Sequence, residues 1–446
     1  MAEHKDIDLI YQTTAGVEAV DLEKGQADLK EYLDFVWNVA NLPPSYDHPE
    51  SEILLPLDDN FKNSLLEKIA QRKNPELKYV VVVGIGGSNL GTMALYRALR
   101  GRLGAFLHAN DPKIIFVDTV SPPLVAQAID FIKNQVNSPE ELIVNVISKS
   151  GETTETIANF EVVYEALKSR FGDRINERLV FTTDRGSKLW NIAESKGLDL
   201  LEIPTAVGGR YSVLSSVSMF PLGLSGFDIN SFWAGAGEMS KRCTERDVHK
   251  NPALASAILT HANYGRGFNI YNSFYFNPEL KSLGKWYTQL MAESVDKELG
   301  LDGEKVNVGI TPIVSIGSID LHSEATLFLG EPKREFTQFI HAAQKENSLI
   351  VPKDLFLPGL VDDIAGKSIA DIMGAIFYGV KIAYLKNALP YSEIVMHEIS
   401  EHSLGQYLQL KMCETMYLAR LFGVNAFDQP RVEDYKRETR EILKKI

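Results

Sequence analysis

The chain has 446 residues, enough for two or three domains with a large buried core. Lys and Arg number 46 against 59 Asp and Glu, and the net charge of −13 argues against a chain whose overall field attracts nucleic acid, so an anionic substrate would need local donors. A composition 45% hydrophobic, 24% charged and 9% aromatic excludes a disordered or collagenous protein, and two cysteines, Cys243 and Cys413, are too few for a disulfide framework or a thiolate metal site. These features lead us to expect a cytoplasmic, reducing location. Met1 to Val20 lacks the basic start and apolar run of a leader, and no stretch reaches the ~20 apolar residues of a membrane span, so no membrane association is expected.

Residues 1–70 read as a polar helical arm in which Tyr32, Leu33, Phe35, Val36 and Val39 recur at helical spacing. Residues 71–225 read as a first α/β domain. Its apolar runs Tyr79–Val83, Ile114–Val117, Leu142–Ile147, Leu179–Thr182 and Leu200–Ile203 alternate with amphipathic stretches, of which Thr153–Phe171 is the most periodic. Five such strands alternating with helices imply a parallel sheet covered on both faces, with ligands at the strand C-terminal ends. A helical connection over 226–265 precedes a second domain of the same kind over 266–425. Its strands fall at Phe268–Phe276, Ile310–Ile316, Glu335–Phe339 and Glu393–Met396, with long helices near Ser368–Lys386 and Ser403–Phe422. Asn277 and Pro278 mark a helix start whose stripe is Leu280, Leu283, Trp286, Tyr287 and Leu290. Residues 426–446 form a charged C-terminal helical segment.

Gly84-Ile85-Gly86-Gly87-Ser88-Asn89-Leu90-Gly91 follows a strand and opens a helix, where glycines let backbone amides approach an anion. A dinucleotide fingerprint would need glycine at position 89, which is Asn89, and an unliganded tight turn is the bland reading. Ser148-Lys149-Ser150-Gly151-Glu152-Thr153-Thr154-Glu155-Thr156 also follows a strand. A helix cap would use one hydroxyl of Ser150 or Thr153, whereas this cluster offers more donors than a cap requires. Two such loops on one sheet can converge on a monophosphate.

Gly208-Gly209-Arg210-Tyr211-Ser212 could present Arg210 to a developing negative charge, although an arginine after two glycines is commonly a surface residue. Glu293 continues the apolar stripe one turn after Gln289, so it either pairs with a buried cation or serves as a general base. His322 and Lys436 read, taken alone, as a structural histidine and a solvated lysine. Three decoys are set aside. Gly366-Lys367-Ser368 has Val361 where a phosphate loop needs glycine, His397 and His402 are five residues apart and not on one helix face, and His402-Ser403 lacks a preceding strand.

Together these residues resemble the glucose-6-phosphate isomerase family, also called phosphoglucose isomerase, from about Val80 to Lys436. The resemblance is carried by Val207-Gly208-Gly209-Arg210-Tyr211-Ser212-Val213-Leu214-Ser215, by Gln289-Leu290-Met291-Ala292-Glu293-Ser294, by Asp320-Leu321-His322-Ser323, and by Phe427-Asp428-Gln429 through Val432-Glu433 to Lys436. It implies two sugar-isomerase domains, each a five-stranded parallel sheet flanked by helices, with helical N- and C-terminal arms. It assigns proton transfer to Glu293, ring opening to His322 and Lys436, and enediolate stabilisation to Arg210. Substrate binding falls on Gly87, Ser88, Ser148, Lys149, Ser150, Thr153 and Gln289. The resemblance further implies glucose 6-phosphate and fructose 6-phosphate as substrates, no metal, nucleotide or flavin cofactor, and a homodimer in which the histidine crosses from the partner subunit. The sequence departs from the family pattern at Arg431, where glycine is usual, and in a longer interval between Glu293 and His322, expected to lengthen a surface loop. The alternatives are a dual phosphoglucose/phosphomannose isomerase, an amino-sugar phosphate isomerase, a non-catalytic sugar-phosphate sensor and a nucleotide-dependent oxidoreductase.

Overall fold

The computed structural model describes residues 7–108, 110–343 and 349–446, without the side chains of Ala105 and Phe106; Met1 to Asp6, the start of the segment read for a leader, lie outside the described residues. Valine-rich and β-branched runs form the strands of two α/β sheets, as parallel strands buried on both faces require. In chain order the strands are β1 (Asp8–Ile10), β2 (Tyr79–Val83), β3 (Lys113–Val117), β4 (Leu142–Ile147), β5 (Leu179–Asp184), β6 (Asp199–Ile203), β7 (Ile270–Tyr275), β8 (Lys297–Leu299), β9 (Lys305–Val308), β10 (Thr311–Ile316), β11 (Glu335–Ala342) and β12 (Tyr391–Met396).

The first sheet is fully parallel in the order β3-β2-β4-β5-β6. The chain leaves β2 toward β3 and then crosses back to β4, so strand order reverses between β2 and β4, where a doubly wound sheet opens a crevice for ligands. Both glycine- and hydroxyl-rich loops emerge there. The second sheet runs β1-β12-β11-β7-β10, and β7, β10, β11 and β12 are parallel as expected. Its fifth strand differs from the expectation: β1 joins β12 antiparallel, from the arm read as helical. The interval before His322 holds β10 and the antiparallel ribbon β8/β9, which carries the exposed Leu299 and Leu301 on its strand and turn. Among the described residues no helix is long and apolar enough to cross a membrane.

Helix Glu401–Leu421 passes through the centre of the molecule and is buried along nearly its whole length. It packs on helix Ile229–Cys243 so closely that a Cβ at Gly235 would stand 2.0 Å from the His402 carbonyl oxygen, and one at Gly405 2.1 Å from that of Phe232. Buried within it, Lys411 pairs with Glu414 and donates to Tyr271 Oη at 3.0 Å and Gln338 Oε1 at 2.9 Å. Glu414 accepts from Tyr287 Oη at 2.7 Å, which ties the core pair to helix Lys281–Val295. That helix buries Leu283, Trp286, Tyr287 and Leu290 as its stripe predicts, but its start differs from the expectation. Pro278–Leu280 is a 3-10 turn, and Asn277 accepts from the Ala342 amide at 2.7 Å instead of capping its own helix.

Burial pushes the Lys411 ammonium down to about 8 from its ordinary 10.5. Between those values the folded chain holds fewer protons than the unfolded one, so the stability contributed by Lys411 rises with pH across that window and is flat below it. Urea titrations of the wild type and Lys411→Met should therefore show the gap between them widening in favour of the wild type from neutral pH to near pH 10. A constant or shrinking gap would show that Lys411 is not a desolvated cation.

Candidate active site

Three loops meet beyond the C-terminal ends of the first sheet. After β2, Gly84 lies against β4: a Cβ there would stand 3.1 Å from the Ile147 carbonyl oxygen. Gly86 has φ +60°, a backbone that favours glycine, and faces Gln289 Nε2. Gly87 meets the third loop, since a Cβ on it would lie 2.4 Å from the carbonyl carbon and oxygen of Gly209. Glycine at 87 is thus a condition for the two backbones to touch.

After β4, Ser148 is buried and its Oγ lies 2.9 Å from Thr153 Oγ1 while accepting from the Gly151 amide at 3.2 Å. Ser150 Oγ accepts from the Glu152 amide at 3.3 Å. Thr153 occupies the N-cap of helix Thr154–Phe171 but makes no side-chain cap bond, so the capping reading is not realised there. Thr156 Oγ1 is buried without a partner in the same first turn, next to amides that a helix leaves unpaired. Lys149 donates to the Thr205 carbonyl and sits 3.3 Å from Asp184 Oδ2. Desolvation raises the Asp184 carboxyl despite this lysine.

Arg210 is 5% exposed, which overturns the surface reading. Its Nε donates to Ser294 Oγ at 2.8 Å, and one terminal nitrogen reaches Glu293 Oε2 at 3.4 Å and Gln429 Oε1 at 3.0 Å. The other donates to the carbonyls of Glu293 at 3.3 Å, Asp428 at 3.0 Å and Ala426. Glu293 Oε1 accepts from Gln289 Nε2 at 3.1 Å, leaving Gln289 Oε1 buried and unpartnered. The carboxylate is therefore held between an amide and a buried cation, with its side chain 26% exposed. An oriented carboxylate open to a crevice, beside a guanidinium, can move a proton on a bound molecule and stabilise the charge that results.

The structure thus joins Gly87, Gln289, Glu293 and Arg210, and at Gly84 the loop that carries Ser88 packs on the end of β4, from which the Ser148–Thr153 loop leaves. Two expected residues stand apart. His322 is exposed in the turn after β10, and Lys436 lies on helix Val432–Leu443, pairing with Glu433 at 2.8 Å. Among the described residues no hydrogen bond or ion pair joins either to the Arg210 cluster. Arg440 on the same helix helps to lower Glu152, after the larger effect of Lys188, so this helix runs near the β4 loop. Arg431 has φ −73° and pairs with Glu298, so the usual glycine is not required by the backbone here. The histidine decoys pair with acids, His397 with Asp8 at 3.6 Å and His402 with Glu238 at 3.0 Å, while Ser368 caps its helix through Asp371. Sequence reading gave no role to Ser294 or Lys297. The signal for Lys297 was its position one turn after Glu293 at the end of an apolar stripe.

The family model described as Phosphoglucose isomerase matches residues 68–446. This chain belongs to the phosphoglucose isomerase family. A glucose-6-phosphate isomerase of Carboxydothermus hydrogenoformans is 33% identical over 427 residues, 94% of this chain and 90% of that protein. A solved structure of a hypothetical protein from Thermus thermophilus matches with a TM-score of 0.83 at 27% identity, covering 98% of this chain and 99% of that one. A glucose-6-phosphate isomerase of Chlamydia trachomatis shares the fold with a TM-score of 0.80 at 21% identity, over 98% of this chain and 88% of that one. The expected α/β class, isomerase activity and family thus stand.

Gly87→Ala places a methyl group against main chain that cannot rotate away. It is expected to destabilise by about 1–3 kcal/mol and to weaken substrate binding. Urea unfolding and KM for the sugar phosphate check this, and unchanged values in both would mean that the Gly87 and Gly209 loops do not touch.

Proposed function

We propose that the protein interconverts glucose 6-phosphate and fructose 6-phosphate, with Glu293 as the proton-transfer base. The observation that carries this reading is the Glu293 carboxylate held between Gln289 and Arg210 at 3.1 and 3.4 Å. The phosphate takes the loop after β4, with Ser148, Ser150 and Thr153 donating alongside the free amides of the helix that follows, and with Ser88 and Gly87 closing from β2. Lys149, already paired with Asp184, adds only part of a charge.

His322 and Lys436 open the ring by moving a proton between the C1 hydroxyl and the ring oxygen. Glu293 then takes the proton from C2: the C–H electron pair becomes the C1–C2 double bond of a cis-enediolate, and the negative charge settles on oxygen near Arg210. Delivery of that proton to C1, with the O2 hydroxyl proton passing to O1, turns the C1–C2 π pair into the new C1–H bond and leaves the C2 carbonyl of the ketose. The 3.4 Å contact between Arg210 and Glu293 is the longest of the side-chain contacts of that guanidinium, and so the one most readily exchanged for a substrate oxygen.

We assign His322 to the partner subunit of a homodimer. Helix Ile369–Lys386 supports this, because only Phe377 and Tyr384 are buried while Ile369, Tyr378, Ile382 and Leu385 are exposed. Apolar surface of that extent needs a cover. Two buried cysteines that remain thiols support a cytoplasmic location.

Conversion of fructose 6-phosphate, read by coupled oxidation of glucose 6-phosphate with mannose 6-phosphate in parallel, tests the activity. Glu293→Gln is expected to lower kcat by about 10²–10⁴-fold while the protein still binds sugar phosphate. Equal activity in that variant would remove Glu293 from the reaction, and conversion of mannose 6-phosphate would widen the specificity. Subunit exchange tests the shared site. Glu293→Gln and His322→Ala chains, each inactive alone, should regain about a quarter of wild-type activity when unfolded and refolded together, because each mixed dimer holds one intact site. No recovery from refolded dimers would place His322 and Glu293 in separate sites or in the same subunit.

A further inference from the structure

Lys297 is a second buried cation at the site. Its side chain is 6% exposed, and it lies four residues after Glu293, where an ion pair with that carboxylate would be the ordinary helical arrangement. The ammonium instead donates to the Glu293 carbonyl at 2.7 Å and to the Asp428 carbonyl at 2.7 Å, with Asp428 Oδ1 at 2.8 Å. Those two carbonyls are also the ones that Arg210 holds with its outer nitrogen. Two cations therefore share a pair of carbonyl oxygens, one closing the helix that carries Glu293 and the other in the segment leading to helix Val432–Leu443. Desolvation pulls Lys297 below its ordinary value and Arg210 adds repulsion, so the arrangement is not the cheapest way to end a helix.

The geometry has a specific consequence for Arg210. Its inner nitrogen must lie against the Glu293 carboxylate and Gln429 while the outer one reaches the carbonyls. Without Lys297, the Asp428 carboxylate loses its cation, while Arg210 still donates to the carbonyl of the same residue at 3.0 Å. Movement of the guanidinium toward Asp428 would lengthen a contact with Glu293 that is already 3.4 Å. We propose that Lys297 is a positioning residue for the isomerisation: it clamps the Glu293 carbonyl to Asp428, sets the Arg210 edge against the Glu293 carboxylate, and anchors the segment from which the Lys436 helix departs. This rests on the function proposed above.

The test is Lys297→Met with steady-state kinetics on fructose 6-phosphate, thermal melting and limited proteolysis. Among the described residues Lys297 bonds to Glu293 and Asp428 and not to the loops after β2 and β4, so KM is expected to stay within about threefold of wild type while kcat falls by about 10–100-fold. Lys297→Arg is expected to recover part of the kcat. Cleavage within residues 426–446 should be faster in Lys297→Met than in wild type. A lower melting temperature with unchanged kcat, or a change confined to KM, would reduce Lys297 to a helix-end tie and overturn the proposal. If Lys297→Met does not fold, Asp428→Asn is read in its place, since Asp428 is half exposed and its carbonyl remains. It should show the same kcat loss at constant KM in weaker form, and unchanged kcat there would equally overturn the clamp. A wild type that converts no sugar phosphate would refute the function, and the proteolysis comparison then decides the clamp by itself, with equal cleavage rates counting against it.

Discussion

A buried guanidinium has five N–H donors and no way to become neutral, so every protein group around it must turn an oxygen inward. Arg210 meets that demand from segments far apart in the chain, with acceptors 83 and 84 residues downstream on helix Lys281–Val295 and 216 to 219 residues downstream near the C-terminus. Satisfying one side chain therefore fixes the approach of the first sheet, the Glu293 helix and the terminal segment to a common point. The glycine that faces the Arg210 loop follows from the same condition. Gly87 must lack a side chain because a Cβ on it would meet the main chain of Gly209, whereas one on Gly209 would meet nothing within 4 Å.

Two buried charge systems share helix Lys281–Val295 and differ in how completely they are satisfied. In the core, Lys411 and Glu414 are enclosed by Tyr271, Tyr287 and Gln338, and each polar group finds a partner. Such a network rigidifies what it touches, and Tyr287 passes that rigidity to a helix whose next two turns hold Gln289 and Glu293. At the crevice the opposite holds: Gln289 Oε1 and Thr156 Oγ1 are buried and unpartnered. Polar groups left unmet beside a network that is otherwise closed are what a ligand supplies, so the same helix is anchored at one end and left open at the other.

Much of this was legible in the sequence for a physical reason. Strands buried on both faces must be apolar throughout, so Tyr79–Val83 and Leu142–Ile147 are visible as runs with the bounds they have in the structure. The loops with chemistry in them follow those runs directly, and the order of the strands turns that adjacency into a crevice. What stayed hidden depends on groups far along the chain. Asp8–Ile10 is three residues, too short for a period, and exists as a strand because β12 offers it an edge. Asn277 matched a helix cap, yet its oxygen was taken by the Ala342 amide 65 residues away. Position suggested Arg210 but left its burial, and that of Lys297, open, because part of the acceptor set of both cations comes from residues 426–429, far along the chain.

Under the proposed function, a chain with a net charge of −13 binds a doubly charged anion, and the site's composition shows how. Its nearest loop lysine, Lys149, is largely spent on Asp184 and the Thr205 carbonyl. Hydroxyls and helix amides remain, and they act over one hydrogen-bond length, without the reach of a free charge. Such donors hold a phosphate that has already arrived, and release it without separating a strong ion pair. On that reading the permanent positive charge is kept instead for Arg210, buried beside the Glu293 carboxylate. Neutral donors thus face a group that keeps its charge throughout, while the buried cation faces the oxygens where charge appears only as the proton leaves C2. Placing the stronger field at the transient charge favours the transition state over the bound sugar, which is the direction catalysis requires.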